Sequence, residues 1–277
     1  TTLYGPKMVI LYLCGEWYEV YALANGDGTH SGSCIDEIHH FLGAEISVPK
    51  EKTPSYNNKQ VVKSGVKMSF VSQTIRALVG AGYTVPKFDQ IKSYVNGKEY
   101  ITRELAKIYT PGTYDDPDSV KHTNYISCYW FHYEYKDAFV DDNTLYCGMV
   151  MLDVFTGKIN YFEYKTSMGN HSNCFDSISS YHQLYLPKEV IIISDLPESL
   201  HHKVMNHTLP NSTITMVIDL NDTKNKATIE ASKCKMRNYQ LEFISAFYPE
   251  DKQGLIIQMF SEYYYSSYAL CYLLNYV

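Results

Sequence analysis

The sequence lacks any apolar run of about eighteen residues, the length that a membrane-spanning helix needs. It also lacks a C-x-x-C pair, because its seven cysteines are scattered singly at positions 14, 34, 128, 147, 174, 234 and 271. This pattern favours buried free thiols in a reducing compartment over a disulfide framework or a zinc module. A nucleus, a cytoplasm, a mitochondrion and a virion or viral factory all fit that condition.

Motifs of several enzyme classes are missing as well. Neither NGKEY nor FTGKI has the two glycines and the hydroxyl of a phosphate-binding loop, and no G-x-S-x-G motif is present. The histidines at 39–40 and 201–207 have no thiolate or carboxylate partner at metal-ligand spacing. We therefore expect no catalysis, no cofactor and no metal in these residues.

The composition indicates an ordinary folded chain. Apolar residues make up 45% of the 277 residues and charged residues 19%, which suits two domains and excludes global disorder. The net charge of −6 gives no support to nucleic-acid binding as a whole. One local basic stretch exists between Pro49 and Met68, with five lysines and one glutamate. It is interpreted either as a solvated loop or as a loop that follows a phosphate backbone.

The first half alternates short apolar strands with helical patterns. It predicts strands at 7–14 and 17–23, a helix at 34–42 closed by Gly43, and a short strand at 44–48. After the basic loop, it predicts a helix that ends near Gly80, an edge strand interrupted by Pro86, and a long strand from 99. The loop PGTYDDPDS then marks a domain boundary near residues 112–122.

The second half begins with three long strand patterns, NYISCYWFHYEY, TLYCGMVMLDVF and KINYFEYK. A helix from Cys174, the apolar strand KEVIIISDL, a further helix, the strand STITMVIDL and two helices from about Tyr239 follow. Three antiparallel strands followed by αβαβα is the order of an RNase H-like sheet. The predicted fold class is therefore mixed α/β, with a small mixed-sheet domain at 1–121, an RNase H-like domain at 122–255, and the start of a truncated helix at 256–277.

Three carboxylates raise a nuclease hypothesis. Asp153 and Asp195 each end a predicted strand of the second domain, and Glu163 lies on a hairpin partner. Acidic residues near adjacent strand ends can hold two Mg²⁺ ions for phosphodiester hydrolysis. The alternative, which we favour, is that all three have structural roles at strand ends and turns.

Three sequence landmarks, VILYLCGEWYEVY, LVGAGYTVPKFDQ and RELAKIYTPGT, occur in an order and spacing that resemble the MutS family of DNA mismatch-repair proteins. The similarity continues through NYISCYWF, GMVMLDVFTGKINYFEY and PKEVIIISD, which look like the family's connector domain. The tyrosine-rich composition is similar to that of the unusual members found in giant viruses and octocoral mitochondria.

The resemblance implies a DNA-binding site. In the family motif G-x-F-Y-E, the aromatic residue stacks on a mispaired base in the minor groove and the glutamate hydrogen-bonds to it. Trp17 and Glu19 occupy these positions, with Tyr18 between them. The glutamate could act as a protonated acid or as an acceptor opposite a base donor.

Four further residues complete the expected DNA-binding set. Met68 is what remains of a family stretch before the long helix, and Lys107 falls where the family often has a basic residue facing DNA. Lys63 and Lys67 are added as backbone contacts by their charge alone.

The resemblance also implies parts that lie beyond these residues. Family members have a lever, a clamp and an ABC-type ATPase after the connector, so ATP and Mg²⁺ are expected there. The whole protein is expected to be a dimer that binds DNA with mispairs or small loops, and these 277 residues alone a monomer. The connector is expected to contact repair proteins. A structure-selective DNA binder without mismatch preference, or a pure interaction module, remains the alternative.

Overall fold

The computed structural model describes residues 7–49, 55–95, 98–114, 123–135, 143–167, 175–208 and 214–277. The chain divides into two compact units, Thr1–Ser119 and Val120–Val277. The predicted boundary at 112–122 lies, from residue 115 onward, outside the described residues. Among the described residues, none of the helices is long and apolar enough to cross a membrane.

The first unit is a mixed sheet with two helices. Its strands are β1 (Leu11–Cys14), β2 (Trp17–Ala24), β3 (His30–Ser31), β4 (Ser55–Tyr56), β5 (Lys59–Lys67), β6 (Val85–Val95) and β7 (Lys98–Tyr109). Their order in the sheet is β4-β5-β2-β1-β6-β7, with β3 beside the end of β2. Strand β1 runs parallel to β6, and the other pairs are antiparallel. The helices are α1 (Ile35–Leu42) and α2 (Val71–Gly80), and a 3₁₀ turn (Met68–Phe70) precedes α2.

Alternation along β2 separates the two faces of this sheet. Tyr18, Val20 and Ala22 are buried in a core that also contains Ile35 and Ile38 of α1 and Ile75 and Leu78 of α2. Since successive strand residues point to opposite faces, Trp17, Glu19 and Tyr21 lie on the other side. We call this side, with Lys63, Gly65 and Lys67 of β5, the open face.

Three expectations for the first unit are corrected. Residues 44–48 form no strand in the described structure but only a single bridge between Ser47 and Lys63. The second half of the basic loop, Lys59–Lys67, is strand β5, whose lysines alternate with Val62, Ser64 and Val66. The strand that contains Pro86 is not an edge strand, because β6 lies between β1 and β7.

The second unit has a sheet of five strands in the described residues. They are β8 (Tyr125–Glu134), β9 (Thr144–Asp153), β10 (Ile159–Ser167), β11 (Glu189–Ser194) and β12 (Ile214–Asp219), in the order β10-β9-β8-β11-β12. The pairs β10–β9 and β9–β8 are antiparallel, whereas β8, β11 and β12 are parallel. This is the strand order of an RNase H-like sheet, so the predicted mixed α/β class is confirmed.

Helices cover both faces of the second sheet. They are α3 (Asp176–Tyr185), α4 (Glu198–Thr208), α5 (Lys226–Lys233), α6 (Arg237–Phe247), α7 (Glu250–Glu262) and α8 (Tyr264–Tyr276). One core contains Ile178 of α3 and Val204 of α4, and the other contains side chains from α5 to α8. Strand β11 is therefore buried along its whole length, as its continuous apolar run indicates. Helix α5 was not predicted, and Cys174 lies outside the described residues.

Helix α8 belongs to the core of the second unit. Ala269, Leu270 and Cys271 are fully buried against the sheet, and α7 and α8 meet at Tyr263. A Cβ atom at Gly148 of β9 would lie 2.1 Å from the backbone nitrogen of Ser266. Helix α8 therefore packs on the sheet of the second unit. That residues 256–277 begin a truncated core or lever helix stays a prediction.

Candidate functional site

Trp17 stands at the start of β2 after a two-residue turn. Gly15 opens that turn with φ at 63°, a left-handed conformation that glycine adopts without strain. The backbone of Trp17 pairs with Cys14 on one side and with Lys67 on the other. The indole is 43% exposed, and Lys67 Nζ lies 5.7 Å from its ring centroid. The Trp17 indole is therefore exposed to solvent, while its backbone is held by strand pairing on both sides.

The carboxylate of Glu19 is held by two donors on the same face. Lys63 Nζ lies 2.5 Å from its Oε1, and the Tyr21 hydroxyl donates to its Oε2. The Glu19 side chain is only 12% exposed. Burial raises the pKa of Glu19, but the hydrogen bonds from Lys63 and Tyr21 outweigh it and leave that pKa below its usual value. Glu19 is therefore ionised at neutral pH and can only accept hydrogen bonds.

A second layer of contacts supports Tyr21. Its hydroxyl oxygen lies 3.7 Å from the Cys14 sulfur, and Arg103 Nη2 lies 3.3 Å from the same sulfur. Arg103 Nε also donates to the Leu13 carbonyl at 2.9 Å. Burial, followed by the hydrogen bond to Glu19, raises the pKa of Tyr21. Tyr21 therefore stays protonated and acts as the donor in this pair.

A cavity of about 470 Å³ lies beside Trp17. Glu19, Lys63 and Gly65 contribute to it from the open face, and the chain after α1 supplies its rim. Its described lining is Trp17, Glu19, Ala44, Glu45, Ser47, Lys63, Ser64 and Gly65. The cavity therefore combines an aromatic ring with a carboxylate and an ammonium group.

The fold brings five of the seven predicted residues together. Trp17, Glu19, Lys63 and Lys67 share the open face, and Met68 is exposed directly after Lys67. The Met68 amide donates to the Glu16 carbonyl at 2.8 Å, which ties the end of β5 to the β1–β2 turn.

Tyr18 and Lys107 are placed elsewhere. Tyr18 is 3% exposed, and its hydroxyl donates to Asp89 at 2.6 Å, so its prediction as a DNA contact is corrected to a role in the core. Lys107 pairs with Lys87, which pairs with the buried Leu11. Directly paired residues share a face, so Lys107 lies on the helix side of the sheet, away from Trp17.

Sequence reasoning missed Tyr21 and Gly65. A signal for Tyr21 was present, because residues 17, 19 and 21 share one face of any strand. Gly65 had no comparable signal, since its importance depends on which strand lies beside it.

The three acidic residues of the nuclease hypothesis have separate structural roles. Asp153 accepts hydrogen bonds from the Asn124 amide at 3.0 Å and the Thr156 hydroxyl at 2.8 Å. Glu163 accepts from the Ser266 amide at 3.0 Å, in the first turn of α8. Asp195 lies 2.5 Å from His132 Nδ1.

The spacing of these acids excludes a shared metal site. Asp153 pairs with Tyr125 at the start of β8, whereas Asp195 contacts His132 seven residues further along the same strand. At roughly 3.3 Å per residue, the two lie about 23 Å apart. The described residues contain no group of three or more metal-ligating side chains. Asp153 and Asp195 therefore do not share a metal site, and the structure gives no support to a nuclease that uses Asp153, Glu163 and Asp195 together.

The matching family model lies within the first unit, whereas the matches to the named relatives, over 140 to 192 residues, are longer than that unit. Residues 38–118 match the family model described as MutS domain I. A mutS homologue of Acanthamoeba polyphaga mimivirus is 23% identical over 69% of this chain and 16% of its own length. The MutS proteins of Clostridium novyi (29% identity, 49% of this chain, 13% of the relative) and Clostridium botulinum strain Okra (27%, 57% and 15%) are also similar.

These matches cover only part of each protein. The chain spans between 13% and 16% of the length of these relatives, and Trp17 and Glu19 precede the residues that the family model matches. The alignment with the family B DNA polymerase of Pyrobaculum calidifontis has a TM-score of 0.20, too low to support a conclusion about fold. On the family model and the named relatives together, the chain is similar over residues 38–118 to domain I of the MutS family.

Proposed function

We propose that the first unit binds duplex DNA at mispairs and small loops, with Trp17 as a minor-groove wedge. The observation that carries the proposal is the exposed indole at a fixed strand start, next to Lys67. Inserting a wedge costs a few kcal/mol of unstacking per base step, and a mispaired step is already weakened. Stacking on the base returns about 1–3 kcal/mol. A wedge therefore favours the step that deforms most easily.

Glu19 is proposed to favour binding to mispaired DNA over matched DNA. Because Lys63 and Tyr21 keep it ionised, it accepts a hydrogen bond from a displaced base and does not donate one. This supports the acceptor alternative over the protonated acid. A matched duplex presents no displaced donor, so Glu19 gains no hydrogen bond from it, and only the ion pair with Lys63 offsets the repulsion between its carboxylate and the phosphates. The penalty falls on matched DNA.

Lys67 and Lys63 supply the attraction that does not depend on sequence. Both project from β5 onto the open face, and each phosphate contact releases counterions. Lys63 is also engaged with Glu19 in the DNA-free structure. We therefore propose that Lys67 contacts a DNA phosphate, and that Lys63 contacts both Glu19 and a DNA phosphate.

The second unit fits a connector without catalysis of its own. Its sheet is buried on both faces, and each of its three suspected catalytic acids has a structural partner. Asp153 holds a turn, Glu163 accepts from the first turn of α8, and Asp195 contacts His132 and the Tyr133 amide of β8. We propose that it relays DNA binding to an ATPase and to repair proteins in the whole protein, which we expect to act as a dimer.

The test compares heteroduplex with homoduplex binding at low salt for this chain and for Trp17→Ala. We expect the wild type to prefer the heteroduplex and Trp17→Ala to lose that preference about 5- to 100-fold, the equivalent of one lost stacking contact. Trp17→Phe should restore most of it. Tyr94→Ala, at an exposed aromatic position in β6, is the matched control and should change nothing.

Equal loss on both duplexes in Trp17→Ala would instead support a structure-selective binder without mismatch preference. No DNA binding by any variant would leave the interaction module as the better description.

A further inference from the structure

We propose that strand β7 is a self-association surface, along which two copies of this chain pair antiparallel, edge to edge. The inference goes beyond the proposed function and does not depend on it. Strand β7 ends the sheet of the first unit, and no described strand pairs with its outer edge. The strand at the other end of the sheet, β4, has two residues, whereas β7 has twelve. The free backbone N–H and C=O groups of a long edge strand are a template for a further strand.

The regular part of this edge is residues 98–105. The register shift in the ladder between β6 and β7 lies beyond Leu105, so the residues before it pair without interruption. Three apolar side chains are exposed along this stretch: Tyr100, Ile101 and Leu105 are each 49% exposed. A second strand at the edge would cover part of this apolar surface, which favours pairing.

The two faces of the sheet limit the possible registers. Leu105 lies on the open face, because directly paired residues of β6 and β1 join it to Glu19. Alternation then places Glu99, Ile101 and Arg103 on the open face as well. A two-fold axis perpendicular to the sheet reverses the strand and keeps its faces, so each residue must lie opposite one from the same face.

Charge selects one position of this axis. With the axis at Ile101, Glu99 of each copy lies opposite Arg103 of the other, which gives two pairs of opposite charge. With the axis at Thr102, no residues of opposite charge face each other. With the axis at Arg103, the two guanidinium groups face each other, and directly opposed like charges destabilise a strand pair. The complementary register is therefore the one centred on Ile101.

Both charged side chains have hydrogen-bonding capacity left for a second copy. Arg103 Nε donates to the Leu13 carbonyl and Nη2 lies 3.3 Å from the Cys14 sulfur, so two of its five N–H groups are used. Glu99 Oε1 lies 2.8 Å from Lys92 Nζ, and the Glu99 side chain is 38% exposed. A carboxylate accepts more than one hydrogen bond.

The proposed interface is small. Its centre is the contact between the two copies of Ile101, and Tyr100 of each copy lies opposite Thr102 of the other. Such pairs of an aromatic and a β-branched residue stabilise neighbouring strands. Five residues from each copy bury less than a stable complex needs, so we expect a dissociation constant between about 1 µM and 1 mM. The dilute chain is then a monomer, and the concentrated chain a dimer.

A disulfide across the axis tests the register. Directly opposed Cα atoms lie about 4.5–5.5 Å apart, within the range that a disulfide spans. Oxidised Ile101→Cys should therefore form a covalent dimer in greater yield than the wild type, whose own cysteines set the background. Leu105→Cys is the matched control on the same face, with equal exposure. Its two copies would lie eight residues apart along the strands, roughly 26 Å, and should give only the background.

Charge reversal tests the proposed ion pairs by sedimentation equilibrium of the whole chain without DNA. Glu99→Arg and Arg103→Glu each put like charges opposite each other, and each alone should associate about 10-fold more weakly than the wild type. An equimolar mixture of the two variants restores opposite charges in the mixed dimer and should associate about as tightly as the wild type. Glu45→Arg changes the net charge as Glu99→Arg does, away from β7, and should behave like the wild type.

Three outcomes would overturn the proposal. They are a wild-type chain that stays monomeric at millimolar concentration, covalent dimers of Leu105→Cys in the same yield as of Ile101→Cys, and a mixture that associates no better than its two components. The first would leave the edge to an extended segment of another protein. Recovery in the mixture also shows that both variants are folded. The measurements contain no DNA, so none of these results bears on the proposed function.

Discussion

Glu19 depends on two residues that lie on the same face of the sheet and come from different places in the chain. Lys63 faces it from the neighbouring strand, and Tyr21 lies two residues further along its own strand. The resemblance placed Trp17 and Glu19 but also counted Tyr18, which alternation sends to the core. Because alternate residues of a strand face opposite sides of the sheet, the sequence would have added Tyr21 to the predicted site and excluded Tyr18 from it. Lys63 could be suspected from charge, but only the register shows which carboxylate it meets.

The ionised state of Glu19 predicts how Glu19→Gln changes stability with pH. A carboxyl group whose folded pKa is lowered stabilises the protein above its unfolded pKa, near 4.3, and loses that effect as pH falls through the folded pKa. At pH 7 the variant should be less stable by about 1 kcal/mol. In urea unfolding, this difference should close as the pH is lowered below about 4.

The control for this measurement is Glu45→Gln, at an exposed carboxylate of the same cavity. It should unfold like the wild type at both pH values. A difference between wild type and Glu19→Gln that persists at low pH would mean that the ion pair with Lys63 does not carry the effect.

Helix α8 shows how a single element is fixed to the second sheet. Gly148 lets its backbone reach the sheet, Glu163 accepts from the Ser266 amide, and the Ser266 hydroxyl donates to the Phe162 carbonyl at 2.8 Å. The apolar sequence alone predicted the helix but not its partner. For β5 the charge pattern led to a wrong prediction of a loop, because lysines that point outward also occur in a strand.

Gly148→Ala tests the close approach of α8. The added Cβ would lie 2.1 Å from two backbone atoms, Ser266 N and Tyr265 C, so the helix must shift. We expect a loss of about 1–3 kcal/mol in unfolding free energy, the usual cost of overpacking. Gly254→Ala is the matched control, since among the described residues no heavy atom outside the neighbouring backbone of α7 lies within 4 Å of a Cβ there. In the exposed interior of α7 it should stabilise by about 0.4–1 kcal/mol.

Glu163 gives a pH dependence of opposite sign to that of Glu19. Burial raises its pKa more than the hydrogen bonds from α8 lower it. A group with a raised folded pKa contributes stability below its unfolded pKa, near 4.3, and loses it as pH rises through the folded pKa. Relative to the wild type, Glu163→Gln should therefore be more stable at pH 7 than at pH 4.

Glu163→Ala separates the hydrogen bond from the charge. It leaves the Ser266 amide without its acceptor and should lose about 1 kcal/mol at pH 7, whereas Glu163→Gln keeps an acceptor oxygen. Thermal unfolding of both variants at the two pH values checks the pair. Identical behaviour of the two would rule out a role of Glu163 in holding α8.

Each unit of the whole molecule has its own core. The first packs two helices on one side of its sheet, and the second packs helices on both sides. Long apolar strands made the second topology predictable, because their order leaves few ways to pair them. The strand order of the first sheet was harder to predict from the sequence, because β6 enters the sheet interior through a parallel pair with β1 that no local pattern indicates.

Separate cores predict separate folding. Residues 1–119 and 120–277, expressed as two chains, should each show a cooperative thermal transition, and the preference for heteroduplex should stay with the first. Calorimetry and DNA titration of the two chains check this. An unfolded first chain, or a preference that returns only when both chains are mixed, would contradict it.

Trp17 is fixed by backbone pairing on both of its sides, and the end of β5 is tied to the turn before it. Under the proposed function, the protein is thus the stiff partner, and most of the deformation in the complex is expected in the nucleic acid. Bases next to the defect then matter as much as the defect itself, since pyrimidine–purine neighbours bend more readily than their alternatives. We therefore expect Trp17 to bind a mispair less tightly between stiff base steps than between easily deformed ones.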